Sequence, residues 1–143
     1  APAPGGVQAR KCMELAIKDA GIDPKDVNYI NAHGTSTHIN DAAETLAIKT
    51  CFGDYAKDIN ISSTKSMTGH LLGATGAVEA VASVLALENS FVPPTIGYKV
   101  PDEECDLNYT PNKGVERDIK YALSNTLGFG GHNAVLCLKK WED

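Results

Sequence analysis

The sequence is poor in aromatic residues, in basic residues and in long apolar runs, and these shortages exclude two classes of protein. Aromatic residues make up 6% of the 143 residues, and 13 lysines and arginines face 18 acidic residues, which leaves a net charge of -5. Because no basic stretch is interleaved with aromatic side chains, we expect no nucleic-acid partner. The longest apolar run, "AVEAVASVLAL", contains Glu79 and is much shorter than the roughly 20 residues that cross a bilayer. We therefore expect a soluble protein with no membrane partner.

Closely spaced cysteines are also missing. The four cysteines, Cys12, Cys51, Cys105 and Cys137, are far apart, and no C-x-x-C pair occurs. We therefore expect neither a disulfide framework nor a metal site, and the pattern favours reduced thiols in the cytoplasm. The opening residues, "APAPGGVQAR", show neither an initiator methionine nor a signal-peptide pattern, so we expect the chain to be a fragment of a longer protein.

Hydrophobic periodicity predicts alternating helices and strands in one domain that spans residues 1–143. The predicted helices are a segment around Met13–Ala20, a segment from Asp41 to Phe52 and a segment that begins at Gly73. The predicted strands are "VNYINA", "INISSTK", "IKYALSNTL" and "AVLCLKK", the last two forming a hairpin. This order predicts an α/β layered fold with a largely buried mixed sheet.

Three further expectations depend on local patterns. Asp41 and Glu44 have the spacing of a capping box at the start of the second helix. The helix after Gly73 carries valines on one face and alanines over most of the rest, so we expect it to be buried nearly all round. Residues 92–118 are rich in proline, aspartate, asparagine and glycine, which predicts a long irregular connection.

Two histidines and a lysine directly follow predicted strands. His33 follows "VNYINA", and Lys65 and His70 follow "INISST". A single histidine is more often structural than catalytic. If the two strands are parallel neighbours joined by the second helix, however, both loops leave the same edge of the sheet, where α/β proteins bind ligands. This shared topology favours a site formed by all three side chains.

Glu79 is the only charged residue between Gly69 and Leu87. A carboxylate on an apolar helix requires a partner if it is buried, and Lys65 and His70 are the candidates. The alternative is that Glu79 reaches solvent, and the sequence favours neither.

The glycines near these residues permit two interpretations. Gly69, Gly73 and Gly76 either leave room for a substrate arm beside a helix start, whose amides attract an anion, or allow a helix to pack tightly on the sheet. The later glycine loop, "GFGGHN", is by itself most simply a turn between two strands.

Three motifs together resemble one family. The stretches "NAHGTST", "KSMTGHLLGATG" and "NTLGFGGHN", in this order and spacing, are similar to the C-terminal half of β-ketoacyl-[acyl-carrier-protein] synthases, the condensing enzymes of the thiolase-like superfamily. The likeness runs from about Gly5 to Lys140 and is greatest to the elongating synthases of type II fatty-acid synthesis. It implies a thiolase-like layered fold with a mixed five-stranded sheet, and it makes residues 1–143 a C-terminal synthase domain.

The resemblance also implies roles for single residues. It implies that His33 and His70 bind the malonyl thioester carbonyl and stabilise the enolate that forms on decarboxylation. Lys65 resembles the lysine that controls the electrostatics of the second histidine, and Glu79 the glutamate of that network. The nucleophilic cysteine of the family belongs to the N-terminal half, so we expect this chain alone to be inactive.

The remaining implied roles concern the substrate arm and the partners. Thr35 and Thr37 resemble the hydroxyls that hold the phosphopantetheine arm of acyl carrier protein, and Phe129 resembles a gating residue whose amide joins an oxyanion hole. The family uses no metal or cofactor, binds acyl carrier protein and forms homodimers. His38 and Asn40 stand where the common pattern has proline and glycine, and His132 stands where many members have threonine.

The resemblance leaves other functions open. A polyketide ketosynthase shares all three motifs, and a non-catalytic, chain-length-determining partner subunit keeps the fold without the nucleophile. The intact His33, Lys65 and His70 argue against the second of these. A Cys–His hydrolase is a distant alternative because no cysteine is suitably placed. Acyl-chain length preference does not follow from this sequence.

Overall fold

A computed structural model describes residues 4–142 of the chain. The helices are α1 (Val7–Ala20), α2 (His38–Phe52), α3 (Lys65–Thr68) and α4 (Thr75–Asn89). The strands are β1 (Val27–Asn31), β2 (Asn60–Ser62), β3 (Phe91–Val92), β4 (Val115–Glu116), β5 (Tyr121–Leu127) and β6 (Asn133–Lys139). The predicted helices and strands are therefore all present, with shifted boundaries.

The main sheet has four strands in the order β2-β1-β5-β6. β1 is parallel to both of its neighbours, and β5 and β6 form the expected antiparallel hairpin. The α/β class with a mixed sheet is confirmed. The expected number of five strands is wrong for the described residues, because the short strands β3 and β4 pair with each other in a separate antiparallel ribbon.

Apolar side chains cover both faces of the sheet, since successive residues of a strand point to opposite sides. Ile30 of β1 faces a core cluster that includes residues of α1 and α2, whereas the neighbouring Tyr29 faces a cluster that includes residues of α4. The molecule thus has three layers, with α1 and α2 on one side of the sheet and α4 on the other. This layering holds β1 and β2 rigidly, so their carboxyl ends give fixed starting points for the loops that follow.

The ends of α1 and α2 follow from glycine, but the start of α2 differs from the prediction. Gly21 and Gly53 end the two helices with positive φ angles of 68° and 59°, which glycine adopts without strain. α2 begins at His38, three residues before Asp41, and no side chain caps its N-terminus. The predicted capping box is therefore wrong, and Glu44 is free for another role.

The expectation that α4 is buried nearly all round is wrong in this structure. Val78, Val81, Val84 and Leu85 are exposed, with Val81 at 60%. The inner face of the helix packs on the sheet through Ala86 and Leu87. An apolar pattern reports that a face avoids water in the functional protein, but not which part of the protein covers it.

The connection between β3 and β4 is irregular, as expected, and lies along α2. Side-chain contacts join it to successive turns of that helix: His38 with Glu104 at 3.2 Å, Thr45 with Tyr109 at 2.7 Å, and the ion pair of Lys49 with Asp106. The connection therefore forms a wall opposite the loops that leave β1 and β2. No helix within residues 4–142 combines the length and the apolar character that a bilayer crossing requires.

Candidate active site

The loops that follow β1 and β2 bring the two predicted histidines together. β1 and β2 are parallel, with Asn31 opposite Ser62 at their carboxyl ends, so the two loops leave the same edge of the sheet. The ring centroids of His33 and His70 lie 5.7 Å apart, and the ring planes are perpendicular at 89°. The spatial arrangement inferred from the sequence is therefore the one that the structure shows.

The backbone at His33 is held by a buried carboxylate. The amides of His33 and Gly34 donate to the two carboxylate oxygens of Glu44 at 2.9 and 3.0 Å. The side-chain amide of Asn125 on β5 donates to the same carboxylate at 3.2 Å. Glu44 is 3% exposed, so its three N–H donors replace the water that a carboxylate requires. This carboxylate ties the loop after β1 to both α2 and β5.

The environment of His33 keeps its imidazole neutral. Burial is the main cause that lowers the pKa of His33 from 6.5 to about 4, and the charge of Lys65 and the nearby His70 act in the same direction. The Nδ1 atom of this ring is buried and has no hydrogen-bond partner within residues 4–142. At neutral pH the ring therefore carries one N–H donor and no charge.

The tautomer of His70 follows from its neighbours. The amide of Leu72 points at Nδ1 of His70 at 3.1 Å, and the Thr75 hydroxyl lies 3.0 Å from the same atom. A backbone N–H can only donate, so Nδ1 accepts and its proton resides on Nε2. His70 thus presents an Nε2–H donor, fixed from behind by the turn that precedes α4.

Lys65 and Glu79 form a buried ion pair between Nζ and Oε1. Their side chains are 5% and 1% exposed, which decides against the alternative that Glu79 reaches solvent. Burial raises the pKa of Glu79, and the hydrogen bond and charge of Lys65 oppose that shift. The expected contact of Glu79 with the His70 ring is not seen: Thr75 and Leu72 hold that ring instead.

A cavity of about 770 Å³ opens beside the pair of loops. Its lining includes Lys65 and His70 on one side, Thr35 in the loop before α2, and the irregular connection on the far side. The hydroxyls of Thr35 and Thr37 are hydrogen bonded to each other at 3.1 Å. The two predicted threonines therefore lie together at the rim of the site, with Thr35 in the cavity wall.

Phe129 lies in the loop between β5 and β6 and is 89% exposed. Because β5 is parallel to β1, this loop leaves the sheet at the same edge as the loop that carries His33. The glycine-rich segment is the expected turn, and Gly130 and Gly131 have positive φ angles of 74° and 84°. The glycines near His70 also leave space, since a Cβ atom on Gly69 or Gly73 would meet nothing within 4 Å.

The four cysteines are unpaired, and burial raises the pKa of each thiol. Cys51 and Cys137 pack against the core, and Cys105 lies in the cavity wall. A thiol with a raised pKa is a poor nucleophile at neutral pH. Within the described part of the chain, no three histidine, cysteine, aspartate or glutamate side chains group closely enough to hold a metal ion.

The chain also matches a known protein family. Residues 1–99 match the family model described as "Beta-ketoacyl synthase, C-terminal domain", which covers more than half of the chain. The chain belongs to the β-ketoacyl synthase family. The resemblance read from the three motifs is thereby confirmed.

Relatives within the β-ketoacyl synthase family cover the whole chain. The chain is 58% identical over 142 residues to a 3-oxoacyl-[acyl-carrier-protein] synthase 2 of Staphylococcus aureus and 53% identical to that of a Synechocystis species. Each alignment covers 99% of this chain and 34% of the relative. The chain therefore spans about a third of the length of the curated synthases that it matches.

Solved synthase structures share the fold over nearly the same range. The chain superposes with a TM-score of 0.96, at 45% identity, on a type II polyketide ketosynthase solved with its acyl carrier protein and a bound hexaketide. It superposes with a TM-score of 0.89, at 36% identity, on a β-ketoacyl synthase of Burkholderia phymatum. Both alignments cover 99% of this chain and about a third of the other, and they confirm the thiolase-like layered fold.

The sequence pattern missed three residues that shape this site. Glu44 matched a capping box, which concealed its contact with the His33 amide. Asn125 lies in a strand, where one asparagine gives no signal of a buried bond to a carboxylate from another helix. Thr75 stands at a helix start, where threonine is common for capping, so nothing in the sequence indicated a contact with an imidazole.

Proposed function

We propose that this chain supplies the histidine and lysine part of the active site of a condensing enzyme of fatty-acid elongation. The complete enzyme would catalyse the decarboxylative Claisen condensation of an acyl thioester with malonyl-acyl carrier protein. The observation that carries the proposal is the pair of imidazoles, His33 and His70, held 5.7 Å apart where the loops after β1 and β2 meet, with His70 in the wall of the cavity.

The chemistry requires hydrogen-bond donors where negative charge develops. When the carboxylate of the malonyl group leaves as CO2, the electrons of the broken C–C bond move toward the thioester carbonyl oxygen. Neutral His33 and the Nε2–H of His70 suit that oxygen because they are held in place before the reaction starts. A preorganised donor of this kind lowers the barrier by roughly 3 kcal/mol.

The carbanion then attacks the acyl group on a cysteine, a carbon–carbon bond forms, and the cysteine thiolate leaves. Lys65 acts in this scheme through its charge. Its buried ammonium, paired with Glu79, helps to keep His33 neutral. His33 therefore remains an uncharged donor at the pH of the cytoplasm, where we propose that the enzyme works.

We assign the substrate arm to the rim of the cavity. In this proposal the hydroxyls of Thr35 and Thr37 hold the phosphopantetheine arm of acyl carrier protein, which is the protein partner. Their mutual contact and the position of Thr35 in the cavity wall support this role. Phe129, exposed between Gly128 and Gly130, is proposed as the gate, and its amide as part of the oxyanion hole for the acyl-cysteine. On this scheme the substrate arm arrives with its carrier, and no metal or other cofactor takes part.

The nucleophilic cysteine is assigned to the N-terminal half of the complete protein. The exposed apolar side of α4, with Val78, Val81 and Leu85, is a surface of the kind that a further segment covers. We propose that this segment also carries much of a homodimer interface. Acyl transfer by the isolated 143-residue chain is therefore expected to be undetectable, and turnover by it would contradict this assignment.

The polyketide pathway is the second candidate, because the solved ketosynthase with a bound hexaketide superposes at a TM-score of 0.96. We favour fatty-acid elongation, since identity to the 3-oxoacyl-[acyl-carrier-protein] synthases is higher, at 58% against 45%. A non-catalytic, chain-length-determining role is disfavoured by the intact His33, Lys65 and His70.

The test measures decarboxylation and condensation separately in the complete protein. With malonyl-acyl carrier protein, the rate of CO2 release is expected to fall by about 100- to 1,000-fold in each of the variants His33→Ala and His70→Ala. His132→Thr, which removes an exposed histidine outside the proposed machinery, serves as the matched control and should retain activity. Full decarboxylation by either alanine variant would contradict the proposal. Each condensation gives a β-keto product in both pathways, so only repeated condensation on an unreduced β-ketoacyl chain, which forms a poly-β-keto product, would favour the polyketide pathway.

A further inference from the structure

The ring of His70 is held from two different parts of the structure. Leu72, whose amide donates to Nδ1, lies in a short 3-10 turn, has a strained φ of 51°, and is 67% exposed. Thr75, whose hydroxyl is 3.0 Å from the same nitrogen, is 3% exposed and is the first residue of the 15-residue helix α4. Of the two contacts, the threonine is the one that is anchored to a rigid element.

We infer that Thr75 is a positioning residue for His70. The Thr75 hydroxyl donates a second hydrogen bond to Nδ1 of His70 and so holds the imidazole in its Nε2–H form. The inference rests on the function proposed above. Because the Leu72 amide fixes Nδ1 as an acceptor, the Thr75 hydroxyl is the donor in its own contact. An Nδ1–H tautomer would oppose its proton to that of the Leu72 amide, and the Thr75 hydroxyl would have to turn and accept from that proton instead of donating.

Capping does not explain this threonine. Threonine at a helix start commonly binds a free helix amide, but α4 has Ala74 at its N-cap position and no side-chain cap bond. Within residues 4–142, the imidazole nitrogen is the hydrogen-bond partner that the structure gives to the Thr75 hydroxyl. The Thr75 hydroxyl therefore forms its hydrogen bond with the imidazole ring rather than with an amide of the helix.

The position of Thr75 along α4 adds a second argument. Thr75 and Glu79 are four residues apart and lie on one buried face of the helix. The first contacts His70 and the second contacts Lys65, so a single helix face orients both side chains of the loop after β2. A shift of α4 would disturb the imidazole and the ammonium together.

The test uses the complete protein labelled with 15N-histidine, in which ring-nitrogen chemical shifts distinguish protonated from unprotonated atoms. The His70 signals are assigned by their loss in His70→Asn. Thr75→Val removes the hydroxyl at nearly constant volume, and Thr75→Ala is a second hydroxyl-free variant with a better helix former. Since one neutral hydrogen bond shifts an equilibrium by about 2- to 10-fold, both should raise the Nδ1–H fraction of His70 by that factor.

Thr75→Ser retains the hydroxyl and should restore the signal of the natural protein. Thr50→Val is the matched control, because its hydroxyl bonds only to carbonyls of its own helix. A tautomer shift in the valine or alanine variant that serine reverses supports the inference, even if the protein shows no condensing activity. The inference is overturned if the His70 chemical shifts stay unchanged in the variants without the hydroxyl. It is also overturned if Thr75→Ser shows the same tautomer change as those variants, or if Thr50→Val does.

Discussion

Removing the partner of the buried lysine should destabilise the protein far more than removing the partner of an exposed lysine. Glu79→Leu leaves the ammonium of Lys65 in a site where its side chain is only 5% exposed. The other oxygen of Glu79 is buried and has no partner within residues 4–142, so the ion pair provides most of what stabilises this carboxylate.

The size of the effect follows from burial. An ammonium left unpaired in such a site costs about 3–5 kcal/mol of unfolding free energy, because water cannot replace the lost carboxylate. Replacing both partners by apolar residues of similar volume is often neutral, so Lys65→Met combined with Glu79→Leu should recover most of that loss. The matched control is Asp106→Asn, which breaks the exposed pair with Lys49 and should lower the unfolding free energy far less.

Urea unfolding followed by far-UV circular dichroism measures these differences. Fluorescence is less useful here, since Trp141, the one tryptophan of these 143 residues, is 86% exposed. The reasoning fails if Glu79→Leu costs no more than Asp106→Asn, or if the double variant is as unstable as Glu79→Leu alone. Condensing activity should stay lost in the double variant, because the ammonium itself is absent.

Three further predictions concern the loop after β1. The pKa of His33 is lowered to about 4, so between about pH 6.5 and 4 the unfolded chain binds a proton that the folded chain does not. The unfolding free energy should therefore fall as the pH drops through this window, and it should fall less in His33→Gln. Unfolding at several pH values measures both. Glu44→Gln turns an NH2 group toward a backbone amide and should lower the unfolding free energy in urea by about 1.5–3 kcal/mol. An unchanged unfolding midpoint would contradict the role of Glu44 in holding the His33 and Gly34 amides. Gly34→Ala places a Cβ 2.6 Å from that of Ser63 at a φ of 42°, so this variant should have a lower melting temperature than the natural protein. An equal melting temperature would refute this packing.

The layered fold and the pair of histidines were predictable because each follows from short-range patterns. Apolar alternation defines β1 and β2, the helix between them implies a parallel pair, and a parallel pair brings both following loops to one edge. His33 and His70 could therefore be placed together without any knowledge of their contacts. The motifs then named the family, which the family comparison confirmed.

The errors have a common physical origin, in that each concerns a contact between distant parts of the chain. A carboxylate such as Glu44 fits a capping pattern equally well whether it caps its own helix or binds another loop. The number of strands depended on whether Phe91–Val92 joins the sheet or pairs elsewhere. The burial of α4 depended on what covers its outer face. Local propensity does not encode these choices, since tertiary packing decides them.

The rotation of α4 about its axis is determined by its few polar residues rather than by its many apolar ones. Valines and alanines surround the helix, so apolar packing alone would tolerate several orientations. A turn by one residue, about 100°, would bring Val78 to the place of Glu79 and leave the Lys65 ammonium buried without a partner. The same turn would remove Thr75 from the ring of His70. The ion pair that fixes the site thus also fixes the helix, and the outer valines are presented in one direction only.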